Sequence, residues 1–167
     1  MSAWRRPSLT WGTALLTISL TLAACGGGSV TTLSSPPTTD PGVTLGLIHS
    51  PSGPILATGS GHALYDFAPD TPTQSACTND GCVFQWPPLL QSGRSRVGVG
   101  VNRSLVGTLK RADGSTQLSY GGHPLYTYNL DVQPGLITGQ AIDQNGGLWY
   151  VINPAGHQIT TAFSVEG

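Results

Sequence analysis

The chain has 167 residues, a formal net charge of −1 and only 9% charged residues, a balance too mild to argue for nucleic acid. It carries 23 Gly and 13 Pro, and no apolar stripe at helical spacing runs beyond two turns. Composition and periodicity therefore exclude a helix-built domain and point to an all-β protein with many turns.

The first 24 residues read as an export address rather than as part of the fold. Arg5 and Arg6 give a positive start, and Leu9 to Leu22 form an apolar stretch too short to span a bilayer comfortably. The stretch ends in Leu22-Ala23-Ala24-Cys25 and is followed by Gly26-Gly27-Gly28-Ser29. A Cys at the cut, behind an apolar stretch and before a Gly run, resembles the lipobox of bacterial lipoproteins. The resemblance implies cleavage before Cys25 and a diacylglyceryl thioether on its sulfur. Two acyl chains suffice for stable anchoring, at about 0.8 kcal/mol per buried methylene. The expected location is the bacterial cell envelope, on the extracytoplasmic side of a membrane. Residues 25–42 are Gly, Ser, Thr and Pro with almost no large apolar side chain, which predicts a flexible tether.

Val43 to Gly167 is one domain's length of chain. Past the signal, five basic residues face eight acidic ones, a formal charge of −3. Within this span Gly61 to Asp70 reads GHALYDFAPD, and Gly122 to Asp131 reads GHPLYTYNLD. Each copy puts two rings at i and i+2 on one strand face, Tyr65 with Phe67 and Tyr126 with Tyr128. Asp70 and Asp131 then open a turn near Pro72 and Pro134, where a carboxylate can accept backbone N–H groups. Gly61 and Gly122 stand at the strand starts, where a positive φ fits. Trp86 and Trp149 follow at matched distances, as core anchors. The predicted architecture is two tandem pseudo-symmetric β repeats, about 43–102 and 103–160, sharing one core. Units of about 60 residues bury only about 60% of their surface, too little to stand well alone.

Between the motifs, Val97, Val99 and Val101 alternate with glycines, which predicts a closely approached strand. Leu105 to Lys110 and Gln117 to Tyr120 flank Asp113-Gly114 as a hairpin, and Trp149 to Ile152 follows Asn145-Gly146 as a strand after a turn.

The ordered set extends further. It includes Cys77…Cys82-x-x-x-Trp86-Pro87-Pro88-Leu89, Leu105-Val106-Gly107-Thr108, and Trp149-Tyr150-Val151…Pro154…Gly156. With the repeated Tyr-x-[Phe/Trp/Tyr]-x-x-Asp motif and the lipobox, this set resembles the bacterial secreted-repeat lipoproteins, a family of unknown function. The resemblance spans about Thr44 to Gly156 and implies an envelope location without implying a chemistry.

Cys77 and Cys82 enclose the turn sequence Thr-Asn-Asp-Gly in an oxidising compartment, which predicts a disulfide. Their C-x4-C spacing, with no His within ten residues, argues against a metal or redox dithiol. His62 and His123 occupy the same repeat position, and on a twofold axis they would be candidates for a metal or haem iron. Duplication alone explains their match; His49 and His157 lack even that context. Asp70 and Asp131 fit turn capping better than a carboxylate dyad, and no hydrolase or phosphate-loop motif is present. All five cations past the signal, Arg94, Arg96, Arg103, Lys110 and Arg111, fall in one acid-free stretch. They suit anionic lipid or an envelope polymer, or equally the protection of an edge strand. The expectation is a membrane-anchored envelope protein that is not an enzyme and needs no cofactor, a binding or structural module. The alternative is a metal- or haem-binding redox accessory using His62 and His123.

Overall fold

A computed structural model describes residues 42–163, all within one compact unit, Pro37–Gly167. The expected signal peptide (1–24), the Cys25 lipid site and all of the tether but Gly42 lie outside the described residues.

The first repeat opens with an antiparallel hairpin of β1 (Thr44–Ser50) and β2 (Gly53–Thr58), followed by the short β3 (Tyr65–Phe67). A six-residue helix, α1 (Asp80–Gln85), then leads to β4 (Arg96–Val97), which lies parallel on β1. A 3-10 turn at Arg103–Leu105 enters the second repeat, with β5 (Val106–Lys110), β6 (Thr116–Tyr120) and β7 (His123–Pro124). Last come β8 (Ile142–Gln144) and β9 (Gly147–Val151), a tight hairpin through Asn145 and Gly146. Both turn residues have positive φ (59° and 88°), as an Asn-Gly type I′ turn requires. The strands make three sheets, ordered β2-β1-β4, β3-β9-β8 and β5-β6-β7. The domain is all-β apart from α1 and the 3-10 turn.

The repeats are not closed units laid side by side; each supplies a strand that the other lacks. β3 pairs with β9 from the second repeat, Tyr65 opposite Val151 and Phe67 opposite Trp149. In the matching place, the second repeat's segment 125–129 pairs with 85–89 of the first. Leu89 N–H donates to the Leu125 carbonyl, Thr127 N–H to Pro87 and Asn129 N–H to Gln85, at 2.8, 2.9 and 2.9 Å. The hairpins obey the same exchange: Leu56 N–H reaches Ile152 and Leu118 N–H reaches Leu89, each at 2.8 Å. At the centre, Tyr65 and Tyr126 trade N–H···O=C bonds of 2.9 Å in both directions, so a pseudo-twofold axis passes between them.

Two apolar clusters fill the domain, and both repeats contribute to each. One is aliphatic, around Leu45, Leu56, Leu64, Leu118, Leu125 and Ile152. The other is the aromatic centre described below.

Two local expectations are corrected. The alternation Val97 to Val101 is not a strand: β4 ends at Val97. After Gly98 N–H closes on the Leu45 carbonyl, the chain turns with Gly100 at φ 84°, leaving Val99 fully exposed. Thr78 to Gly81 is not a plain turn either. Asn79 caps α1 by accepting the Cys82 N–H at 2.9 Å, a start signal that the Asn-Asp-Gly turn pattern conceals. The helix stops at Trp86, where Pro87 and Pro88 supply no N–H to continue it. The predicted disulfide joins Cys77 to Cys82, with Cα atoms 5.5 Å apart.

Candidate functional site at the repeat junction

The motif residues converge on the axis, and each works on the opposite repeat. The Tyr65 hydroxyl donates to Asp131 Oδ2 at 2.6 Å, and the Tyr126 hydroxyl to Asp70 Oδ2 at 2.7 Å. The second oxygen of each carboxylate closes its own loop. Asp70 Oδ1 accepts the Ala76 N–H at 2.6 Å; Asp131 Oδ1 accepts the Thr138 N–H at 2.9 Å and its hydroxyl at 2.6 Å. Each Asp therefore locks a turn, as expected, but through an N–H six or seven residues on rather than through a local Asx bond. The fully buried tyrosines are held as phenols: burial first, then the neighbouring carboxylate, pushes both hydroxyls well above the usual range. Burial likewise raises Asp70 to about 6, against the pull of its Ala76 and Tyr126 donors.

The second ring of each motif builds a four-ring column. Tyr128 stacks on Trp86 (centroids 4.1 Å), Trp86 on Trp149 (4.0 Å, planes 1° apart) and Trp149 on Phe67 (4.3 Å). Tyr65 and Tyr126 meet Trp86 and Trp149 edge-on at 5.3 and 5.1 Å. Such pairs contribute about 0.5–1.5 kcal/mol beyond the area they bury. The repeated glycines belong to the same scheme. Gly61 and Gly122, both at φ 88°, lie under Pro134 and Pro72 of the opposite repeat. A Cβ on Gly61 would stand 3.1 Å from Pro134.

One network at this junction was not legible from motifs. Arg111 is buried, and donates to Ser75 Oγ (2.9 Å), the Cys77 carbonyl (2.6 Å) and the Gln117 amide oxygen. Ser75 in turn bonds the Tyr126 hydroxyl at 2.7 Å, so the guanidinium braces the Tyr126–Asp70 pair. This corrects the five-cation surface stretch: Arg94, Arg96, Arg103 and Lys110 are exposed, and Arg111 is not. The parity of β5 is the signal that finds it, because Arg111 falls on the inward face with Leu109, two positions away.

The two motif histidines have separate partners. His62 Nδ1 lies 3.1 Å from Ser60 Oγ, and His123 Nδ1 lies 3.0 Å from the buried Asp66 carboxylate, which raises its pKa. Gln158 donates to the same Asp66 oxygen. Among the described residues, no group of three or more His, Cys, Asp or Glu is placed to hold a metal ion.

A family model described as a secreted repeat of unknown function matches residues 46–90 and again 107–153, one match within each structural repeat. Comparison with curated proteins and with solved structures found no match. The two matches cover more than half of the chain, which belongs to this family of secreted repeats.

Proposed function

We propose that this secreted-repeat protein is a non-catalytic binding or structural module of the bacterial cell envelope, held on a membrane by lipid on Cys25. The observation that carries the non-catalytic part is the use made of the repeated motif. Tyr65, Phe67, Asp70 and their counterparts Tyr126, Tyr128 and Asp131 all join one repeat to the other. A catalytic carboxylate must lie within reach of substrate, whereas Asp131 is 3% exposed and accepts three protein hydrogen bonds, and each oxygen of Asp70 is engaged by a protein donor. The motif thus accounts for a fold, and its recurrence needs no reaction to explain it.

The membrane part draws on Leu22-Ala23-Ala24-Cys25 and the Gly run behind it, and the family's secreted character fits an extracytoplasmic site. No helix among the described residues is long and apolar enough to cross a membrane. The redox-accessory alternative gains no comparable support, because His62 and His123 each bond a different side chain.

Fractionation in a bacterium that processes lipoproteins tests the anchor. The parent chain should begin at Cys25, carry the diacylglyceryl mass and stay with membranes in high salt. Cys25→Ser should yield uncleaved or soluble protein. A Cys25→Ser chain that is cleaved and still membrane-bound in high salt would show that the anchor lies elsewhere.

A further inference from the structure

We propose that the face at the root of the tether is a docking surface for anionic lipid headgroups; this rests on the lipid-anchor reading above. The described chain begins at Gly42, packed on the backbone of Arg94, and Arg96 N–H donates to the Val43 carbonyl at 2.9 Å. Thr44 lies opposite Arg96 where β1 meets β4. The Arg103 guanidinium folds back to the Ser95 carbonyl at 3.5 Å, between the other two arginines. Three of the four exposed cations therefore gather where the tether joins the domain. None of the three is paired with a carboxylate among the described residues. The same excursion carries Val99, an apolar side chain fully exposed on the turn after Gly98.

Acidic residues are absent from this part of the chain. Residues 42–65 and 85–112, which include all of the β2-β1-β4 sheet, the excursion after β4 and β5, contain no Asp or Glu. Asp40 belongs to the tether, outside the described residues.

Distance and concentration favour a membrane partner. Cys25 precedes Gly42 by 17 residues, a length of chain that reaches at most about 60 Å. Tethering at this range supplies an effective concentration on the order of millimolar, so a weak patch suffices to hold the domain down. Exposed arginines at a negative leaflet gain about fivefold in partitioning each, on the order of a hundredfold for three.

The test uses the chain from residue 25 with Cys25→Ser, so that no lipid contributes. It should bind vesicles containing phosphatidylglycerol, ignore phosphatidylcholine vesicles, and let go in high salt. The triple variant Arg94→Gln/Arg96→Gln/Arg103→Gln should lose on the order of a hundredfold in binding while melting like its parent. Lys110→Gln, at the far end of β5, should change binding less than about twofold on the same scale. Two results would each overturn the proposal: a parent that ignores anionic vesicles, or a triple variant that binds them like the parent. In the second case, loss of binding to a soluble polyanion such as dextran sulfate would mean polymer recognition, and aggregation would mean that the arginines guard the β4 edge. Failure of the lipid anchor is read separately, in the fractionation of the native chain.

Discussion

Replacing Asp131 by Ala tests whether the motif holds the repeats together. Three donors converge on this 3% exposed carboxylate: the Tyr65 hydroxyl, and the N–H and hydroxyl of Thr138. A hydrogen bond to a charged group contributes about 1.5–3 kcal/mol, and a buried donor left alone costs about 1–3 kcal/mol. Thr138 is exposed, so water can replace part of its loss; Tyr65 is 0% exposed and has no such recourse. The Tyr65 bond therefore dominates, and Asp131→Ala should cost about 3 kcal/mol, a large share of the roughly 5–15 kcal/mol that stabilises a domain. Asp131→Asn keeps one oxygen for Thr138 and offers an amide to the Tyr65 hydroxyl, so it should cost about 1 kcal/mol. Urea unfolding followed by Trp86 and Trp149 fluorescence gives the shift in midpoint at constant slope. In a double-mutant cycle with Tyr65→Phe, the coupling should be about 1–2 kcal/mol, although the residues are 66 positions apart. Asp131→Ala within about 0.5 kcal/mol of the parent, or zero coupling, would refute the reasoning. So would Asn destabilising as much as Ala.

Residues 43–102 expressed alone should be unfolded or aggregated, because β3 loses β9 and Leu56 loses Ile152; a cooperative melt from that half would disprove the shared core. Changing Cys77 and Cys82 together to Ala should lower stability by about 2 kcal/mol for so short a loop while keeping the native fold, and alkylation without reduction should label neither Cys in the parent. Asp70 has a folded pKa of about 6, raised from 3.8, so the fold holds a proton that the unfolded chain has released. Its contribution is greatest below pH 3.8 and is lost as pH rises through 6. The stability difference between parent and Asp70→Asn should therefore grow in Asn's favour across that window; a difference independent of pH would contradict the assigned cause.

Much of this domain is written locally, and local chemistry was enough to read it. Ring pairs at i and i+2, Gly at strand starts, Asn145-Gly146 and Cys77…Cys82 each act over a few residues, and the structure carries them as expected. The repeat itself, and a core joining Phe67, Trp86, Tyr128 and Trp149, follow from one pattern occurring twice in a chain too short for two stable units. Helix α1 escaped because Asn-Asp-Gly serves equally as a turn or a cap, and only the packing of Cys82 and Trp86 selects the cap. Val99 escaped because alternation says nothing about whether a partner strand continues beside it.

What tertiary structure alone decided is which copy each residue serves. Asp70 and Asp131 close the same repeated motif, so pattern cannot choose between the tyrosine of the same repeat and that of the other. The choice comes from the antiparallel exchange of backbone bonds between Tyr65 and Tyr126, which directs each hydroxyl past its neighbour's strand to the opposite turn. That geometry also makes room for Arg111, whose charge is tolerated inside because Ser75 and the Cys77 carbonyl from one repeat and Gln117 from the other converge on it. Turn chemistry and periodicity reach a few residues along the chain; desolvation and strand exchange depend on partners brought from 36 to 92 residues away, and those exist only once the two repeats have closed on each other.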